Sequence, residues 1–376
     1  MKTSTFALAV VLCCLFAPEI HAQPNPAVTH KELLWHLDGT GKQIPVQGDA
    51  AWAKRRALIL QGMQEAMGPL PPRDNLPAFD MQTANETTGD GYRRLTISFV
   101  AQGADRIPAD LYLPDAAATA KPHSLPAVIA LHPTGAQGKR IVAGEGPRPN
   151  RQYAVELAQR GYVVIAPDYP SFGDYAYDFQ QDDYVSGTMK GIFNHMRCVD
   201  LLQTEIKGVD PQRIGVIGHS LGGHNAMFLG AFDERVKVIV SSCGWTPFHD
   251  YYDGNIKGWT SDRYMPLLMT KFDLDPDKVP FDFYEVVGAL APRAFFSSSP
   301  LDDSNFAVAG VRKAIPKAKE VYDLLNAGPN LKVVYPHCEH DFPTETRETA
   351  YAFIDTALGH TPTNELNYAA ELPRIK

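Results

Sequence analysis

The sequence predicts an α/β fold in which helices cover both faces of a mainly parallel sheet, and three observations predict it. Short apolar runs recur from residue 127 onward, and they are too uniformly hydrophobic for strands with one wet face. Amphipathic helical stretches separate several of them, the pattern of a parallel sheet wrapped by helices. A glycine-flanked serine turn joins one such strand directly to one such helix.

The elements follow in order. Residues 1–22 read as a signal peptide: Lys2 gives the positive start, Phe6 to Phe16 the apolar stretch, and Ala22 the small residue at the cleavage site. The expected location is therefore secreted or periplasmic. The apolar stretch is too short to span a bilayer, so no stable membrane anchor is expected. Residues 23–90 form an N-terminal extension, with a helix over Trp52–Met67 closed by Gly68-Pro69 and a proline-rich linker to Pro77. The main domain is expected over 91–360. Arg94–Val100 and Ile107–Leu113 alternate like exposed strands. Buried strands follow at Ala127–Leu131, Tyr162–Ala166, Arg213–Ile217, Val236–Val240, Ala294–Phe296 and Leu331–Tyr335, with helices at 151–160, 191–206 and 221–232. An insertion at about 244–283 is long for a connection between two strands, and 361–376 is a C-terminal tail. A lid is one use of such an insertion.

Composition narrows the function. The chain has 376 residues, 21% of them charged, and a formal net charge of −8. An acidic chain with no basic cluster excludes a nucleic-acid partner. The densest basic run, Lys54-Arg55-Arg56, reads as a solvated helix face. Beyond the leader, Cys198, Cys243 and Cys338 are too few for a disulfide scaffold and read as buried thiols. Cys-x-x-Cys and His-x-x-x-His spacings are absent, so neither a metal nor another cofactor is expected. Nothing in the sequence sets an oligomeric state.

The chemistry gathers where strands end. Gly218-His219-Ser220-Leu221-Gly222-Gly223 fits G-x-S-x-G between a strand and a helix. Such a turn lifts the Ser220 hydroxyl above the sheet and aims a helix amino end at it. A serine hydroxyl needs a base, and His340, in the loop after the last apolar strand, is the candidate. His337 reads as a surface histidine. The acid that orients His340 falls between the two in sequence, where Asp302 and Asp303 compete. Backbone N–H groups of Leu221 and of Thr134 are the expected oxyanion donors, since Pro133 has none. His132 reads as a residue that orders its loop.

These segments, together with Arg160–Tyr169, Ala291-Pro-Arg293 and His340-Asp-Phe-Pro343, resemble bacterial α/β-hydrolases of the acetyl xylan esterase-like and dienelactone hydrolase-like group, over about residues 45–358. The resemblance implies a mostly parallel sheet of about eight strands flanked by helices, with the N-terminal helical extension and lid-like insertion added to it. It also implies ester hydrolysis, a small-molecule or carbohydrate ester as substrate, and Asp303 as the acid, because the aspartate before Ser-Asn-Phe recurs in the group. A small acyl pocket walled by Tyr169 and Phe172 is expected, with Trp245 as a further wall; the aromatics of 244–283 equally suit a small core of their own. The sequence departs from true dienelactone hydrolases, which carry a cysteine nucleophile. It departs from glucuronoyl esterases, which place Cys and Arg where His219 and Leu221 stand, and it is too short before the domain for a peptidase propeller. An exopeptidase or amidase, and a non-catalytic binding protein on the same fold, are the competing expectations.

Overall fold

The computed structural model of the protein describes residues 30–364 and residue 366. The expected signal peptide and the tail beyond residue 364, residue 366 apart, lie outside the described residues.

A hairpin of β1 (Trp35–Leu37) and β2 (Gln43–Pro45) leads into α1 (Asp49–Met67). Three antiparallel strands follow: β3 (Gln82–Gly89), β4 (Tyr92–Gln102) and β5 (Asp105–Pro114). The chain then alternates: β6 (Leu125–Leu131), α2 (Tyr153–Gln159), β7 (Val163–Pro167), α3 (Gly187–Thr204), β8 (Val209–His219), α4 (Leu221–Phe232) and β9 (Val236–Ser242). After the insertion, which holds the single turn α5 (Leu267–Thr270), come α6 (Phe283–Leu290), β10 (Ala294–Ser298), α7 (Val308–Leu324), β11 (Leu331–Val334) and α8 (Thr344–Leu358). The main sheet has nine strands in the order β11-β10-β9-β8-β6-β7-β5-β4-β3. All pairings from β7 to β11 are parallel, and β5 joins β7 antiparallel.

The uniformly apolar strands are explained by two cores. Ala127, Ile129 and Leu131 of β6 face one apolar cluster, while Val128 and Ala130 face the other. Val163 and Ile165 of β7 alternate with Val164 and Ala166 in the same way. Side chains on a strand point to opposite faces in turn, so a strand covered on both sides needs apolar residues at every position.

Three features differ from the expectations. β3 lies within the expected extension yet forms the edge of the main sheet. Its sequence, Gln-Thr-Ala-Asn-Glu-Thr-Thr-Gly, carries no apolar alternation because nearly all of it is exposed. The run Lys54-Arg55-Arg56 is not a solvated face. Arg55 is buried in an ion pair with Glu285, and Arg56 donates to the carbonyls of Ala231 and Ala289 at the ends of α4 and α6. These cations fasten α1 to the domain, because helix ends leave carbonyls without intrahelical partners. Finally, α7 carries Pro316 in its interior, a residue that obscures a helix in the sequence.

Candidate active site

The elbow is built by exclusion. Ser220 has φ 57° and ψ −118°, a left-side conformation that costs energy for any residue with a Cβ. Its backbone N–H donates to Ser242 O at 2.8 Å, which ties the turn to β9. A Cβ on Gly218 would sit 2.1 Å from Gly222 O, and one on Gly222 would sit 2.0 Å from Leu131 O. Only glycine allows the chain to cross itself this closely. The α4 helix starts at Leu221; the N–H groups of Gly223 and His224 donate back to Ser220 O at 2.8 and 3.2 Å, which leaves those of Leu221 and Gly222 at the open end of the helix.

Two loops bring Asp303 and His340 together. Ser299 N–H donates to Val334 O at 3.0 Å, Leu301 N–H to Pro336 O at 3.0 Å and Asp302 N–H to Cys338 O at 3.2 Å. This ladder continues the β10–β11 pairing past the sheet. His340 Nδ1 lies 3.0 and 2.9 Å from the two carboxylate oxygens of Asp303. Asp303 Oδ1 also accepts the N–H groups of Asn305 and Phe306, at 2.8 and 3.1 Å. The Asp303 side chain is 1% exposed and that of His340 18%. Asp302 and His337 are exposed. Buried Arg151 donates to His340 O at 3.1 Å and pairs with Asp341 at 2.5 Å, holding the loop from the other side. The His340 ring centroid is 4.9 Å from that of His219, the residue before Ser220. Among the described residues no hydrogen bond joins the Ser220 hydroxyl to His340, a contact that such sites often tighten only with substrate.

The loop after β6 carries Thr134, which is exposed, with Oγ1 3.3 Å from the Tyr264 hydroxyl. His132 orders this loop: Nδ1 lies 2.7 Å from Pro133 O, and Nε2 accepts Tyr169 N–H at 2.9 Å. That assigns the proton to Nδ1, and burial pushes the imidazole pKa down. Behind it, buried Lys139 pairs with Asp168 at 2.6 Å, and Asp168 also accepts the N–H groups of Lys139 and Asp174. Asp168 thus welds the 132–139 and 168–174 loops together, a role that sequence reading missed. An aspartate ending a buried strand was the available signal.

Tyr169, Phe172 and Leu221 form a small apolar cluster beside the elbow, with Tyr264 packed against it. Trp245 does not join them. Its indole is 1% exposed, donates to Ser297 Oγ at 3.0 Å and stacks with Phe283, so its place as a pocket wall is corrected: it belongs to the core beneath the site. Phe248, Tyr251 and Trp259 of the insertion likewise pack on one another and on Phe283 or Phe306. The insertion has a core of its own that is continuous with the domain.

Three more buried histidines lie around the elbow: His219, which precedes Ser220 in the motif, and His195 of α3 and His224 of α4, which belong to no motif. His219 Nδ1 lies 3.0 Å from Ser242 Oγ; burial first, then the charges of Arg151, His340 and Arg148, pushes its pKa well down. Burial drives His195 and His224 to about 3. Cys198, Cys243 and Cys338 are free thiols. Among the described residues one group has the geometry to hold a metal: Cys243, Asp303 and His340, with ligand atoms within 4.8 Å of one another. Two of its members are already paired with each other. Burial, reinforced by Asp303, raises the Cys243 thiol pKa and keeps it protonated.

A nucleophile elbow, a carboxylate–imidazole pair at the ends of the next strands and an open helix amino end together mark the fold. The chain has the α/β-hydrolase fold. A family model described as glucuronyl esterase of fungi matches residues 177–326, which include Ser220 and Asp303. The Bacillus subtilis (strain 168) protein YtaP, named as a hydrolase, is 27% identical over 249 residues, covering 62% of this chain and 79% of its own length. A 4-O-methyl-glucuronoyl methylesterase of Phanerochaete carnosa is 23% identical over 180 residues, covering 43% of this chain and 44% of its own. In structure, a glucuronoyl esterase from Solibacter usitatus superposes with a TM-score of 0.67 at 21% identity, covering 89% of this α/β-hydrolase and 98% of that chain. Among the described residues no helix is long and apolar enough to cross a membrane.

Proposed function

We propose that this α/β-hydrolase is a serine carboxylic ester hydrolase acting on sugar or polysaccharide esters, with Ser220, His340 and Asp303 as its triad. The observation that carries the reading is the buried Asp303 carboxylate on His340 Nδ1, with the ring set beside the Ser220 elbow. The carboxylate fixes the proton on Nδ1 and leaves Nε2 free to accept one.

In the first half-reaction Ser220 Oγ attacks the ester carbonyl while His340 Nε2 takes the hydroxyl proton. The carbonyl oxygen becomes an oxyanion, which the N–H groups of Leu221 and Thr134 stabilise together with the amino end of α4. Collapse expels the alcohol, which leaves with the proton held by His340, and an acyl-enzyme remains. Water then attacks the acyl carbon as His340 takes its proton. The second collapse frees the carboxylic acid and returns the proton to Ser220.

Two kinds of neighbour support a sugar ester as substrate: the glucuronyl esterase family model, and the glucuronoyl and carbohydrate esterases among the relatives. The crowding of the elbow by Tyr169, Phe172 and Leu221 supports a short acyl group. The apolar leader at 1–22 supports export before the enzyme acts. Ser220→Ala tests the reading. Activity on short-chain nitrophenyl esters and labelling by a fluorophosphonate should both disappear, with about four to six decades lost in kcat. A variant that keeps more than about a tenth of wild-type activity rules out Ser220 as nucleophile.

A further inference from the structure

The insertion returns to the site at residues 262–264. The Tyr169 hydroxyl donates to Arg263 O at 2.6 Å, and the Tyr264 hydroxyl meets Thr134 Oγ1. The Arg263 guanidinium lies over the Phe172 ring, 4.2 Å from its centroid, and Nε donates to Ser171 Oγ at 2.8 Å. Phe172 packs with Leu221, the residue after the nucleophile. One aromatic ring therefore separates this cation from the elbow.

The two terminal nitrogens of Arg263 have no hydrogen-bond or ion-pair partner among the described residues. Carboxylates close in sequence or space are engaged elsewhere. Asp262 accepts the Gln180 amide at 3.0 Å, and Asp174 takes Lys139 at 2.5 Å. A guanidinium is a planar fork that matches a carboxylate with two parallel hydrogen bonds. Here the fork is held by a ring and a hydroxyl, so little freedom is left to lose on binding.

We propose that Arg263 is a specificity-determining residue that binds a free carboxylate on the substrate, so that the enzyme selects esters carried by acidic glycans over neutral ones. The inference rests on the hydrolytic reading of Ser220, His340 and Asp303 and goes beyond it by naming the charge of the sugar chain.

The test compares O-acetylated xylo-oligosaccharides that carry a free 4-O-methylglucuronate side group with the same oligosaccharides lacking it. Wild type should favour the acidic substrate by about tenfold or more in kcat/KM, mainly through KM, with the preference shrinking as salt rises. Arg263→Gln should bring the ratio near one, and Arg263→Lys should restore part of it. Equal wild-type rates, or a preference that survives Arg263→Gln, overturn the proposal. Calorimetric binding of both oligosaccharides to Ser220→Ala protein, with and without Arg263→Gln, separates recognition from chemistry. A binding preference that depends on Arg263 upholds the proposal even where no hydrolysis occurs, and that outcome refutes the hydrolytic reading alone. Equal binding overturns the carboxylate site.

Discussion

Asp303→Asn is the sharpest perturbation of the proposed triad because the structure specifies which hydrogen bond it reverses. Asp303 Oδ1 accepts the backbone N–H groups of Asn305 and Phe306, so an asparagine keeps its carbonyl oxygen there. Its amide NH2 must then occupy the Oδ2 position, 2.9 Å from His340 Nδ1. Two donors cannot face each other, and the oxygen at the Oδ1 position, 3.0 Å from Nδ1, already accepts two backbone N–H groups, so the arrangement favours an imidazole with its proton on Nε2. That nitrogen can no longer accept the Ser220 proton. The fold should be preserved, since shape and both backbone contacts are. A wrong-tautomer loss is worth about four decades in kcat, or about 5 kcal/mol. Exposed Asp302→Asn should change the rate by less than about twofold. Nitrophenyl acetate kinetics on both variants, with circular dichroism to check folding, decide the matter. Retention of more than about a tenth of the activity by a folded Asp303→Asn protein, or a crippled Asp302→Asn, would refute the argument.

Other consequences can be measured directly. Gly222→Ala drives a Cβ to 2.0 Å from Leu131 O, so it should destabilise the fold by about 4 kcal/mol or more; an unchanged melting temperature would show that the elbow can relax. Phe172→Ala should open the acyl side and raise the octanoyl-to-acetyl rate ratio by about tenfold, read with nitrophenyl esters; a fixed ratio removes Phe172 from the pocket wall. His195 and His224 sit near pKa 3 when folded and near 6.5 when unfolded. The unfolded chain therefore binds more protons below pH 6.5, so stability is full above that value and falls as pH drops toward 3. Each histidine should remove about 1 kcal/mol per pH unit in that window, and His195→Phe or His224→Phe should flatten the slope in urea titrations. A slope that is the same in both variants as in wild type contradicts the assignment.

What the sequence made legible follows the strength of each physical constraint. The strands β6 to β9 had to be apolar at every position, because both faces are covered, and their boundaries were readable to within a few residues. The elbow was readable because its sterics admit only glycine at 218 and 222. The edge strand β3 carries no such constraint, since backbone pairing to β4 asks little of exposed side chains. Arg55 shows the opposite failure: charge alone says nothing of burial when the partner, Glu285, lies far along the chain. Trp245 failed for the same reason, because an aromatic in an insertion suits a pocket wall and a core equally well until its neighbours are known. The choice between Asp302 and Asp303 turned on which carboxylate points inward, a property of one loop's path.

Five histidines lie around the Ser220 elbow, and their surroundings explain why His340 suits the proposed role of base. A base must carry a proton through the transition state, so its cation needs compensation at that moment. His132 spends both nitrogens on the backbone, and protonating Nε2 would break its bond to Tyr169 N–H. His219 faces a hydroxyl, with the charge of Arg151 opposing a second cation. His195 and His224 are packed among rings, where burial is the main cause that disfavours protonation. His340 alone among the five has a carboxylate within hydrogen-bond distance, and that carboxylate is itself buried and held by two backbone donors. The neutral histidines around it add polar bulk without adding charge. The charge beside the elbow is then that of the Asp303 carboxylate on His340, with the amino end of α4 beginning at the residue after Ser220.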